Sequence, residues 1–275
     1  MDIRSHGHQH ENDQQVGEAI RAIGHCQRSS SLWAPSCHRR GGPRADRGHG
    51  DGSECRKSQP LSDQHRAERL SFARAFQHWT VEQWSQVLFA DETIFPNVYA
   101  GRQYCLRGVN EEMLPENLAD KVAHPIQVNA WGCMSANGVG TLMTFEDTLN
   151  GSYMLKILKS CLLESRNKLF PDGQWHFMQD NARPHVDQKV ERWLFDKHIP
   201  LIIMPPYSPD LNPIELLWSQ LKPAVHRRFA KSADELAEAV IAEWNQVDVN
   251  YLRSIVARMP GLMQKVIAAK GGRVS

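Results

Sequence analysis

An α/β layered domain is the fold class this sequence predicts, and three observations carry it. Short apolar runs at residues 87–90 (VLFA), 175–179 (WHFMQ) and 199–204 (IPLIIM) are bounded by polar residues, as buried central strands are. Amphipathic stretches of helical length follow the second and third of them. A segment with turn chemistry and strand-forming residues, 126–145, comes before that alternation and gives the sheet an antiparallel start.

Composition sets the outer limits. The chain has 275 residues, 41% of them hydrophobic and 8% aromatic, enough for one large domain or a domain with an appendage. A formal net charge of +1 gives no support for nucleic-acid binding by bulk charge and leaves the matter to local patches. The six cysteines are scattered with no CxxC pair, which argues against a disulfide framework or a zinc ribbon and fits a reducing compartment. No apolar run is long enough to span a bilayer and the start of the chain has no signal-peptide core. The expectation is a soluble, intracellular protein.

Residues 1–60 differ from the rest. Between Pro35 and Pro60 there is no Leu, Ile, Val, Met, Phe or Trp, so little apolar surface is available to offset the entropy of ordering the segment. A disordered N-terminal tail is predicted, with one short helix over 14–24. His6, His8, His10, Cys26, Cys37 and His38 match no common zinc spacing. Order begins near Leu61. The expected divisions are a tail over 1–60, a helical lead-in over 61–85, a strand-and-helix unit over 86–230 and C-terminal helices over 231–275.

In order, the pattern predicts a helix over 64–77, with Leu70, Ala73 and Phe76 on one face. Thr80 and Gln83 have the spacing of a capping box for a short helix through Trp84. The 87–90 strand ends in Asp91-Glu92. Strands follow at 102–107, 126–134 and 139–145, with a polar loop over 108–125. A helix covers 152–169. A strand over 175–179 ends in Asp180, and Pro184 suits the first turn of the next helix. After the 199–204 strand come four prolines. Asn212 as N-cap and Pro213 at the first position then open a helix to about Ala224. Helices over 232–246 and 249–269 complete the chain.

Three acids stand at element ends. Asp91 and Asp180 close buried strands, and on neighbouring strands they converge on the rim where open α/β sheets bind ligands. Glu215 approaches from a helix start. Clustered carboxylates repel unless cations neutralise them, and Mg²⁺ favours oxygen donors. Two such ions about 4 Å apart serve phosphodiester cleavage. The plainer alternatives stay open: strand-end Asp residues serve turns, and Glu215 sits where a capping-box Glu belongs. Asp187 and Asp210 read as solvated helix and turn residues. Glu92 points to the opposite side of its strand from Asp91 and falls outside the metal set.

The segments VLFADET, MQDNARPH and PPYSPDLNPIELLW together resemble the catalytic core of the mariner-like (Tc/mariner) DDE transposases. The resemblance runs over roughly residues 58–272, and 34 residues lie between Asp180 and Glu215, the interval of the transposon-type branch. It implies a ribonuclease-H-like mixed sheet flanked by helices, with Asp91, Asp180 and Glu215 as catalytic, metal-binding triad. It implies two Mg²⁺ ions, with Mn²⁺ able to substitute. It implies nicking at transposon ends, transfer of the freed 3′-hydroxyl to target DNA, and a homodimer or larger assembly on DNA.

Asn181 and His185 lie in the second segment and either position the metal-bound acid or fill structural places at the helix start; Arg183 accompanies them. Arg102, Arg107, Lys222, His226, Arg227 and Arg228 are candidate contacts to the DNA backbone, or an exposed basic helix end favoured by the macrodipole. The pattern predicts that the family's N-terminal helix-turn-helix pair is missing here or survives only as a degraded or out-of-frame remnant, since residues 25–60 lack an amphipathic run and a docking core. An inactive or domesticated DNA-binding relic is the alternative. A ribonuclease for RNA–DNA hybrids is disfavoured by the long interval and the NPIE helix.

Overall fold

The computed structural model describes residues 60–97 and 126–274. The expectations for the tail and its 14–24 helix, for a strand over 102–107 and for a loop over 108–125 lie outside the described residues. Helix α1 (Asp63–Ala75) starts at Ser62, whose side chain accepts from the His65 amide. Helix α2 (Val81–Ser85) has the expected capping box, with the Thr80 hydroxyl on the Gln83 amide and the Gln83 side chain on the Thr80 amide. Strands β1 (Val87–Pro96) and β2 (Gln127–Ser135) pair antiparallel, while β5 (His176–Gln179) and β6 (Leu201–Ile203) continue from β1 in parallel. The order is β3-β2-β1-β5-β6, a mixed sheet.

The strand expected over 139–145 is two pieces, β3 (Gly138–Val139) and β4 (Met143–Phe145), both on β2. The cause is Gly140. Its amide donates to the Cys133 carbonyl at 2.7 Å, and a Cβ there would fall 2.5 Å from the Cys133 sulfur. No side chain fits, so the chain kinks and resumes.

The two sheet faces carry two cores. Val87 and Phe89 of β1 join Val128, Met178 and Ile202 in one cluster, covered by α1, α2, α6 (Ile214–His226), α7 (Ala233–Asn245), α8 (Val249–Val256) and α9 (Met259–Ala268). Leu88 and Ala90 join Trp131 and Phe177 in the other, under α3 (Gly151–Ile157), a π-helical segment (Leu158–Leu162), α4 (Leu163–Leu169) and α5 (Gln188–Asp196). Burial on both faces is why β1 begins as an unbroken apolar run rather than an alternation. The 2.0-residue period also decides where its acids go. Asp91 continues the Val87–Phe89 side toward α6, and Glu92 continues the Leu88–Ala90 side toward α5.

Several boundaries differ from the sequence pattern. The residues after Asp180 form a tight turn rather than helix. His185 and Val186 both donate to the Ala182 carbonyl, and α5 starts only after Asp187, whose side chain accepts from the Lys189 amide. Asp187 is therefore an N-cap. The expected 249–269 helix is α8 and α9, broken ahead of Pro260, which has no amide hydrogen to give and whose ring crowds the carbonyl four residues back. Helix α6 begins one residue late. Pro213 stands at its N-cap with helical dihedrals and no side-chain cap, after a 3₁₀ turn over Pro209–Leu211, and the helix runs past Ala224 with Pro223 inside it.

Gly132 sits on β2 under two indoles. A Cβ there would lie 2.7 Å from Trp244 and 2.9 Å from Trp218, rings that stack at 5.2 Å. Gly132→Ala is expected to lower stability by about 1–3 kcal/mol through overpacking, seen as a lower urea midpoint at unchanged slope.

Candidate active site

The three acids line one open cleft of about 510 Å³ at the end of the parallel strands, together with Asn181, Arg183 and the Met204–Pro209 loop. Each arrives by a different route. Asp91 is carried by β1. Asp180 follows β5 on the same face as Met178. Glu215 is the second residue of α6. Asn212, 4% exposed, gives its side-chain amide to the Ala90 carbonyl at 3.3 Å, tying the entrance of α6 to the residue before Asp91. The Asn212 cap expected from the pattern is absent, and so is the capping box for Glu215, because Asn212 is spent on β1 and Pro213 takes the cap position. That leaves the Glu215 carboxylate for the cleft. Asn181 donates to the Met204 carbonyl at 2.5 Å and holds the β5 end against the β6 end.

The electrostatics separate the acids. Burial, then the charges of Glu92 and Glu215, push the Asp91 carboxyl up to about 8, against the amide of Glu92 that donates to it. Burial also raises Glu215, opposed by Lys222 and by a hydrogen bond from Asp91. Near neutrality Asp91 therefore keeps a proton and donates it to Glu215. Asp180 is different: despite burial, its pKa is lowered by His185 and by the Ala182 amide.

His185 is the residue whose role the sequence left open between helix filler and positioning group. Its side chain is fully buried. Nδ1 lies 2.7 Å from Asp180 Oδ1, and Nε2 lies 3.0 Å from Glu92 Oε1. Burial alone would drive its proton off, yet the two carboxylates hold it on and lift its pKa to about 10. Glu92 was missed because strand alternation does put it opposite Asp91; what alternation cannot show is that the turn after Asp180 brings an imidazole to that opposite side. The Ala182 amide and His185 both fall on Oδ1 of Asp180, which leaves Oδ2 facing no protein partner among the described residues.

Among the described residues no group of three or more His, Cys, Asp and Glu side chains is arranged to hold a metal ion as they stand. The acidic donors of the cleft are carboxylate oxygens, with no Cys or His on its lining, a set that suits hard divalent cations. Asp91 offers them only once its proton leaves. Of the basic candidates, Lys222 is close enough to act on Glu215, and Arg227 is exposed at the end of α6. Arg228 instead pairs with Glu243 at 2.7 Å. Arg102 and Arg107 lie outside the described residues. Asp210, expected to be a solvated turn residue, is held by the buried Arg69 at 2.6 Å.

A mixed sheet flanked by helices, with carboxylates gathered where the parallel strands end, defines a ribonuclease-H-like domain. Comparison with solved structures agrees. The catalytic domain of Mos1 mariner transposase superposes with a TM-score of 0.62 over 79% of this chain and 98% of that one, at 15% identity. A Mos1 paired-end complex with the left transposon end gives 0.71 over 93% and 71%, at 14% identity. The sequence profile of the DDE superfamily endonucleases matches residues 86–237, more than half of the chain, and the chain belongs to that family. Among characterised proteins it is 28% identical over 218 residues to the Tcb2 transposase of Caenorhabditis briggsae, covering 78% of this chain and 79% of the relative. It is 27% identical over 214 residues to the Tc1 transposase of Caenorhabditis elegans, covering 77% and 78%. No helix among the described residues is long and apolar enough to cross a membrane.

Proposed function

We propose that this protein is a Tc/mariner-type transposase, a divalent-metal-dependent endonuclease and strand transferase acting on DNA. Its ligands are Asp91, Asp180 and Glu215. The observation that carries the reading is the meeting of these three acids, from three separate elements, in one cleft of a DDE-family domain. Two Mg²⁺ ions, or Mn²⁺ in their place, would activate the attacking oxygen and stabilise the leaving one when bound. Solved Mos1 structures with Mg and with Mn are consistent with that choice.

The chain's own residues do the remaining work. Asp180 presents Oδ2 while its Oδ1 is fixed by Ala182 and His185. Asp91 would have to release its proton before it could serve as a ligand. Asn212 ties the entrance of α6 to β1, and Asn181 ties the end of β5 to the end of β6. Arg183 on the cleft wall, Lys222 and the exposed Arg227 contact phosphates, a role in which Arg228 is weakened by its pairing with Glu243. Transposon ends and target DNA are the substrates, and a dimer or larger assembly forms on them inside the cell.

Supercoiled plasmid tests the reading. Conversion to open circles in Mg²⁺ or Mn²⁺, and none in EDTA, is the expected outcome. Salt-dependent DNA binding without cleavage at any metal concentration would replace the enzyme with a binding protein.

A further inference from the structure

Arg69 of α1 is 0% exposed, an unusual place for a guanidinium, which is costly to bury unless its donors are all engaged. Four of its five N–H donors are engaged. Nη1 and Nη2 hold Asp210 as a two-pronged pair at 2.7 and 2.6 Å. Nε donates to the Gly271 carbonyl and Nη2 to the Gly272 carbonyl, both at 2.9 Å. Asp210 also accepts the Val274 amide at 3.1 Å. Gly271 is required where it stands: its φ is 79°, and a Cβ would come 2.0 Å from the Arg66 carbonyl oxygen. The helical lead-in, the loop before α6 and the end of the described chain thus meet on one side chain.

Asp210 is the centre of the 3₁₀ turn, and backbone hydrogen bonds continue to its exit. Leu211 donates to Ser208, Asn212 to Pro209 and Glu215 to Asn212, each backbone bond at 3.0–3.1 Å. Asn212 is fixed in turn to the Ala90 carbonyl beside Asp91. Asp210 thus stands five residues before the cleft carboxylate Glu215 on a hydrogen-bonded stretch of chain. We propose that Arg69 is a positioning residue that sets Glu215 against Asp91, and that segments outside the family match, residues 69 and 271–274, complete the active site. This rests on the catalytic reading of the cleft.

Arg69→Lys keeps the charge and loses the fork; Asp210→Asn keeps the shape and loses the charge. Met263→Ala, a cavity in α9 away from the cleft, serves as a destabilised control. Melting temperature, kcat and KM for plasmid nicking, and the Mn²⁺ concentration for half-maximal rate are measured for each, well below its melting point. For both clamp variants kcat is expected to fall about 10–100-fold, the scale of a misplacement near 1 Å, with KM for DNA changed less than about threefold and the Mn²⁺ requirement raised. Met263→Ala at a matched loss of melting temperature is expected to keep kcat within about twofold. Should Arg69→Lys fail to fold, Asp210→Asn alone decides. Clamp variants that are folded and keep kcat within about twofold overturn the proposal, as does an equal loss in Met263→Ala. Absence of nicking by the unaltered protein overturns the catalytic reading, and this inference with it.

Discussion

Asp180→Asn is expected to reduce metal-dependent nicking by at least about 10³-fold, a loss of roughly 4 kcal/mol of transition-state stabilisation. The substitution preserves size and leaves an oxygen to accept from Ala182 and His185. What it removes is the negative charge of the one cleft acid whose pKa the surroundings lower. Asp91 is pushed up to about 8, and Glu215, itself raised, is engaged by the hydrogen bond from Asp91. Asp180 is lowered, and its charge faces the buried imidazolium of His185. Nicking rate and melting temperature measured on the same samples separate chemistry from folding. A rate within tenfold of the unaltered protein would show that Asp180 is not a ligand.

His185→Ala is expected to cost about 3 kcal/mol of stability and most of the activity. Removing one partner of a buried ion pair leaves uncompensated charge, at about 3–5 kcal/mol. The low end applies because the Asp180 side chain is 47% exposed and partly screened by water. The loss should depend on pH. His185 has a folded pKa raised to about 10 from an ordinary value near 6.5. Its contribution is therefore complete below about 6.5 and disappears as pH rises through 10. Asp91 adds to the same trend: raised to about 8, it favours the fold most below the ordinary carboxylate range and ceases to do so above 8. Asp180, lowered, contributes above the ordinary carboxylate range and is lost as pH falls through its folded value. Metal-free protein should lose stability between pH 6.5 and 10, and His185→Ala should lose less over that interval. Urea unfolding at pH 6 and pH 9 measures both slopes; parallel slopes would mean that His185 titrates normally.

Much of the geometry of the candidate site was legible because it follows from element order. Apolar runs buried on both faces cannot be anything but central strands here, and acids that close two of them end at one rim. The fixed alternation of β1 likewise told correctly that Glu92 leaves the Asp91 side. The misses share one physical origin, contacts between residues far apart in sequence. Glu92 gains its place from a turn 93 residues later. Asp210 reads as a solvated turn residue until Arg69, 141 residues earlier, is seen beneath it. Asn212 looks like a cap, and local spacing gives no hint that its amide is claimed by the Ala90 carbonyl. The break before Pro260, by contrast, was readable from the proline alone.

The claim on which the rest stands is that Asp91, Asp180 and Glu215 share divalent cations. Crystals of the protein soaked in Mn²⁺ and measured for anomalous scattering address it directly. Two peaks in the cleft, within ligand distance of those three carboxylates and absent in Asp180→Asn, are the expected result. Peaks confined to other parts of the surface, with the Asp91–Glu215 hydrogen bond still intact, would contradict it.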